Sequence, residues 1–157
     1  MRNAAILGAL LATTVSLGSV VGGCKSAAEQ EAERRAHDKT TLDAIVVLDR
    51  KLDATLKQAD EIAMKGDELR AADLLDKEGI PAADAALEAV KAAHVETQWG
   101  HERQDELRAL LGDRRAEIPR YASALRSTDL ESKLGAVQKQ VELEKRTIEV
   151  IGKVATN

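Results

Sequence analysis

The chain has 157 residues, with 23 lysines plus arginines against 27 aspartates plus glutamates and a formal net charge of -4. One tryptophan, one tyrosine and no phenylalanine leave little surface for stacking on bases or sugars, and a mildly acidic chain lacks the basic stripe that a phosphate backbone demands, so nucleic acid is not an expected partner. A single cysteine excludes an internal disulfide framework, and two prolines among abundant Ala, Leu, Glu, Lys and Arg give the composition of long helices, with no run that reads as strand.

The first segment sets the expected address. Arg2 is its only charge, Ala4 to Val21 is apolar or small, and Gly22-Gly23-Cys24 closes it with residues too small to obstruct a peptidase. That is the layout of an export signal. The alternative is a retained anchor, since roughly 20 apolar residues suffice to cross a bilayer. Val21-Gly22-Gly23-Cys24 resembles the lipobox of bacterial lipoproteins, an aliphatic residue and two small ones before a cysteine. The resemblance covers the leader alone. It implies that the Cys24 thiol receives a diacylglyceryl group, that residues 1–23 are removed as a signal peptide, and that the new amino terminus at Cys24 is often acylated. Two or three acyl chains, at roughly 0.8 kcal/mol per buried methylene, would make attachment effectively permanent. The resemblance further implies that Lys25, in place of Asp after the cysteine, directs such a protein to the outer membrane facing the periplasm rather than to the inner membrane.

Residues 24–39 are nearly all alanine and charge, with high helix propensity but no apolar stripe, and are expected to form a tether. Residues 40–157 are expected to form a helical bundle domain. Ile45, Leu48, Leu52, Leu56, Ala59, Ile62 and Ala63 recur at three- and four-residue steps, and Leu69 and Ala72 keep that phase beyond Gly66. One helix from about Thr40 to Lys77 is therefore expected, the alternative being a break at Gly66 with Asp67 as the next cap. Glu78-Gly79-Ile80-Pro81 reads as a tight reversal, glycine past one helix end and proline at the start of the next. Ala83, Ala86, Leu87, Val90 and Ala93 open a second helix that carries Leu107, Leu110 and Leu111 later, with a bend or division at Gly112 and a perturbation at Pro119. Thr128 and Glu131 form a capping box for a third helix, whose seam is Leu130, Leu134, Val137, Val141, Ile148 and Ile151, a seven-residue repeat interrupted by Glu144. The expected fold is all-α: an elongated antiparallel, coiled-coil-like bundle of three long helices, or four if the second divides.

Chemistry-bearing patterns are sparse. His94 and His101 share a helical face with Trp99 between them, but a metal centre needs three or four converging ligands, and only Gln98, Glu102 or Asp105 stand near. Asp105 occupies the place where a zinc-protease motif requires its second histidine, so that chemistry is discounted. Ser123, Ser127 and Ser132 lack the strand-to-helix elbow of an activated serine. Asp49, Asp53 and Asp60 lack calcium-loop spacing and read as a solvated face, paired at most with Lys57 or Arg50. Gly100 beside Trp99 reads as relief where another helix crosses.

No catalytic, cofactor-binding or metal site is expected, and an enzyme is disfavoured because no nucleophile, base and oxyanion donor converge. The leading expectation is a membrane-anchored envelope lipoprotein, held in lipid by acylated Cys24, whose helical domain is a structural or protein-interaction module with a protein partner. The competing expectation is an envelope sensor or carrier that binds a metal or small ligand near His94, Trp99 and His101.

Overall fold

A computed structural model describes residues 25–156, and among them the fold is all-α with no strand. The leader and Cys24 lie outside the described residues.

Helix α1 spans Ala27–Met64. Ser26 caps it: its hydroxyl accepts from the Glu29 amide while the Glu29 carboxylate accepts from the Ser26 amide, so two orphan donors are satisfied reciprocally. At 1.5 Å per residue, its 38 residues extend about 57 Å. The helix passes through the expected tether-to-domain boundary at Thr40 without interruption. Arg35 and Asp38, placed in the tether by composition, already touch the packed body.

The single helix expected through Lys77 is instead broken at Gly66. That residue has φ of 90°, the left-handed conformation that favours glycine, and the Asp67 and Gly66 amides donate to the carbonyls of Ile62 (3.3 Å) and Ala63 (2.9 Å), closing the α1 end in a Schellman arrangement. Asp67 then caps α2, Glu68–Leu74, by accepting from the Arg70 amide. The reversal expected at Glu78 to Pro81 does not occur. Leu75–Gly79 form a π turn that leads directly into α3, Ile80–Ala92, with helical backbone at both junctions. Pro81 in a continuing helix would lose a hydrogen bond and strike the preceding turn, and the wider π turn accommodates it.

The second helix, expected to run from Ala83 through Leu111, instead ends at Ala92, and the chain turns at Ala93 to Thr97. Helix α4, Gln98–Arg126, passes straight through both Gly112 and Pro119, so the expected division at Gly112 is absent. Helix α5 is Leu130–Ala155. Its cap is Asp129, one residue beyond the expected Thr128: the Asp129 carboxylate accepts from the Glu131 and Ser132 amides, and from the Ser132 hydroxyl.

Packing follows seams with alternating steps of three and four. On α1 the seam is Asp38, Leu42, Ile45, Asp49, Leu52, Leu56 and Ala59, all buried. On α4 it is Gly100, Gln104, Leu107, Leu111, Arg114, Ile118, Tyr121 and Leu125, also all buried. On α5 the buried residues are Ala136, Leu143, Thr147, Val150 and Val154. The expected α5 seam lies one residue further round the helix and faces outward, with Leu130, Leu134, Val137, Val141 and Ile148 exposed. Ala136 and Thr147 make the inward row less apolar than the outward one, which is why apolar content alone selects the wrong row.

The core divides into two apolar clusters. One gathers Leu52, Leu56, Leu75, Ile118, Tyr121 and Leu125, and the other Leu42, Ile45, Val90, Leu107, Leu111 and Val150. The level between them holds Asp49, Arg114 and Thr147.

Gly135 lies exposed within α5, where an added Cβ would meet no atom within 4 Å. Gly135→Ala is therefore expected to raise stability by about 0.5–1 kcal/mol through helix propensity and a less flexible unfolded chain. Urea denaturation would detect this as a higher midpoint at unchanged slope.

Candidate functional site

Three features concentrate polar or exposed apolar groups: the polar level in the core, the α4 amino terminus, and a groove between α1 and α5.

At the polar level the Arg114 guanidinium, with its side chain 4% exposed, donates to Asp49 Oδ1 at 2.8 Å, Asp53 Oδ1 at 3.2 Å and Thr147 Oγ1 at 3.2 Å. Asp49 is 1% exposed, and its Oδ2 has no hydrogen-bond partner. Burial pushes the Asp49 carboxyl above its ordinary range, against the pull of Arg114, and Asp53 adds to the rise. Burial also opposes ionisation of Asp53, but hydrogen bonds from Lys57 and Arg114 hold it below the usual value. The solvated acidic face expected on α1 is thus an inward row. The signal was present in the spacing, because Asp49 stands four residues after Ile45 and three before Leu52, on the apolar seam itself.

At the α4 amino terminus Asp38 is fully buried. Its carboxylate accepts from the Glu96 amide at 2.8 Å, the Thr97 amide at 2.8 Å and the Thr97 hydroxyl at 2.6 Å. Thr97 in turn caps α4 by accepting from the Gly100 amide. Gly100 allows this approach: a Cβ there would stand 2.3 Å from Asp38 Oδ2 and 3.0 Å from Val95 Cβ. Trp99 is half-buried under the Arg35 guanidinium, 5.1 Å from the ring centroid. Such a contact is worth about 0.5–1 kcal/mol. His94 and His101 are exposed. Among the described residues no group of three or more His, Cys, Asp or Glu side chains is placed to hold a metal ion. Trp99 and Gly100 therefore join the start of α1 to the start of α4.

The groove has a volume of about 460 Å³ and opens where the first half of α5 stands away from the end of α1. Its apolar surface comes from Leu56, Met64, Leu125, Val137, Val141 and Leu143. Tyr121 reaches it from α4 and donates its hydroxyl to Asp60 Oδ1 at 2.5 Å. Burial raises the Asp60 carboxyl above its ordinary range against the Tyr121 hydrogen bond, and the charges of Glu144 and Asp53 add to the rise. Burial and the adjoining Asp60 carboxylate push the Tyr121 phenol upward as well. At the rim Lys133 pairs with Glu68, and Lys57 pairs with Asp53 at 2.9 Å.

No helix among the described residues is long and apolar enough to cross a membrane. No protein-family model matches the chain, and no curated protein or solved structure matches it either.

Proposed function

We propose that this chain is an envelope lipoprotein, fixed in the outer membrane through acylated Cys24, whose helical domain is a structural or protein-interaction module rather than an enzyme. The observation that carries the interaction half is the outward row of α5. Leu130 is 69% exposed and Ile148 68%, and Leu134, Val137 and Val141 continue the row between them. Contiguous apolar surface of this kind marks interaction sites, and its seven-residue spacing matches the seam a partner helix would use. The anchor half rests on the lipobox-like residues. In support, α1 begins at Ala27, three residues past Cys24, so a lipid handle would pass almost directly into a helix about 57 Å long.

The domain in this proposal is an elongated antiparallel bundle. Polar pairs between helices support that arrangement. Asp38 with Thr97, Asp49 with Arg114 and Asp60 with Tyr121 rise together along α1 and α4. Pairs of α4 with its chain neighbours run oppositely: Gln104 with Val90 and Arg115 with Asp84 on one side, Asp113 with Arg146 and Glu106 with Lys153 on the other.

Two measurements test the two halves. Mass spectrometry of the protein from envelope should find the chain starting at an acylated Cys24, and a bare sulfur or an uncut leader would overturn the anchor. For the module, Leu134→Glu with Val141→Glu should leave the thermal midpoint nearly unchanged, because exposed positions outside the packed core typically move stability by no more than about 0.5 kcal/mol. The same pair should abolish a crosslink formed from α5 to a protein partner in the envelope, another copy of the chain included. Retention of that crosslink, or the lack of any reproducible one with the native sequence, would reject the module.

A further inference from the structure

We infer that the groove between α1 and α5 is a binding site for a small amphiphilic organic cation, an apolar body carrying one ammonium or guanidinium group. The inference rests on the groove alone and requires neither the lipid anchor nor a partner helix.

Its size is in the range of small-molecule sites, about 300–1,000 Å³, and the lining from Asp53 to Met64 on α1 extends about 16 Å, three helical turns. Its floor is apolar, with Leu56, Leu125 and Leu143 below and Val137 and Val141 along one wall. A purely apolar occupant would leave the polar groups that converge there unanswered. Charge in the groove is unbalanced toward the negative: Asp53, Asp60, Glu68 and Glu144 face Lys57, Arg114 and Lys133. All three cations are committed, Lys57 to Asp53, Arg114 to Asp49 and Asp53, and Lys133 to Glu68. Among the described residues, Asp60 and Glu144 form no ion pair within 4 Å. Among the same residues the only hydrogen bond to Asp60 is the one from Tyr121 to Oδ1, which leaves Oδ2 available.

The two carboxylates lie on opposite walls of the groove, Asp60 on α1 and Glu144 on α5, near enough for the charge of Glu144 to push the Asp60 carboxyl upward. A cation between them would relieve that repulsion. It would also gain charge-assisted hydrogen bonds, roughly twice as strong as neutral ones. The Tyr121 phenol, hydrogen-bonded to Asp60 Oδ1, lines the groove at the same level. An anionic amphiphile would meet two carboxylates that no ion-pair partner covers, and a neutral one would gain only the floor, so discrimination by charge is the signature of the site.

The test uses the full-length chain and three probes with the same six-carbon body: hexylammonium, hexanol and hexyl sulfate. Titration is followed by calorimetry and by the methyl resonances of labelled Val137, Val141 and Leu143. Hexylammonium should bind and shift those methyls, with hexanol about tenfold weaker and hexyl sulfate weaker still. Asp60→Asn keeps an acceptor for the Tyr121 hydroxyl, so the fold is preserved. Combined with Glu144→Gln, it should reduce the preference for the cation over hexanol to near unity while binding of hexanol itself is unchanged. Equal binding of the three probes, no binding of the cation in the millimolar range, or full cation preference in the double variant would each overturn the assignment.

Discussion

Replacement of Arg114 by methionine is expected to lower stability by about 3–5 kcal/mol, the largest effect of any single substitution outside the apolar core. Methionine keeps the apolar stem and omits the guanidinium, so the loss is dominated by the missing charge and its hydrogen bonds. Asp49 would keep its buried position with neither oxygen paired, since its Oδ2 already lacks a partner and Oδ1 has only Arg114. The neighbours are less dependent on the guanidinium: Asp53 retains Lys57, and the Thr147 hydroxyl still donates to the Leu143 carbonyl at 2.8 Å. A second substitution, Asp49→Leu in the Arg114→Met background, removes the orphaned charge and should recover most of the loss, because a buried ion pair gives back in desolvation much of what it gains in attraction. Urea denaturation of the single and double variants measures this directly. An Arg114→Met protein within 1 kcal/mol of the native one would mean that Asp49 takes up a proton, or reaches water, at little cost.

The same level has a consequence for specificity. It separates the two apolar clusters and ties three helices at one height, since Asp49, Arg114 and Thr147 belong to α1, α4 and α5. Apolar seams rich in alanine and leucine tolerate a slip of one heptad, whereas a single Arg–Asp contact does not. The double variant is therefore expected to be nearly as stable as the native protein but less sharply cooperative, with a smaller denaturant slope.

Helix content and most of the core were legible from spacing, because the stripes of Leu and Ala on α1, α3 and α4 are strong enough to fix a face. Four things were not. The break at Gly66 was masked because the apolar phase continues across it, and phase says nothing about whether the backbone takes a positive φ. The inward role of Asp38 and Asp49 was hidden because each depends on a partner about 60 residues away, Thr97 for one and Arg114 for the other. Their positions on the seam were visible, but apolar counting passes over them. Apolar spacing selects the outward row of α5 because α5 carries two rows side by side, and burial depends on which one α4 and α1 cover. The groove lies where those rows meet. It was not legible at all, since it requires α5 to stand off from α1.

Asp38→Ala is expected to lower stability by about 2–4 kcal/mol at neutral pH, from loss of a charged acceptor that serves two amides and a hydroxyl and leaves buried donors unmatched. The pH dependence gives this a sign. Burial opposes ionisation of Asp38, yet the hydrogen bonds from Thr97 and Glu96, with His37 adjacent, outweigh it and hold the carboxyl below its ordinary value. A depressed folded-state pKa contributes stability that is present above the unfolded value, about 3.9, and is lost as pH falls through the lower folded one. The difference between the native protein and Asp38→Ala should therefore be constant from pH 7 to about 5 and shrink on acidification below about pH 4. Asp49 and Asp60 act in the opposite sense, their raised values favouring the folded state as they take up protons, but they are common to both proteins and cancel from the difference. Gly100 supplies an independent check. Gly100→Ala in the native background forces a methyl to 2.3 Å from Asp38 Oδ2 and should cost about 2 kcal/mol, against a helix-propensity gain of about 1. Without the Asp38 carboxylate the main obstacle is gone, and the same substitution should cost less than half as much. Additive costs for the two substitutions, or a pH-independent difference, would mean that Asp38 does not hold Thr97, the α4 cap, in solution.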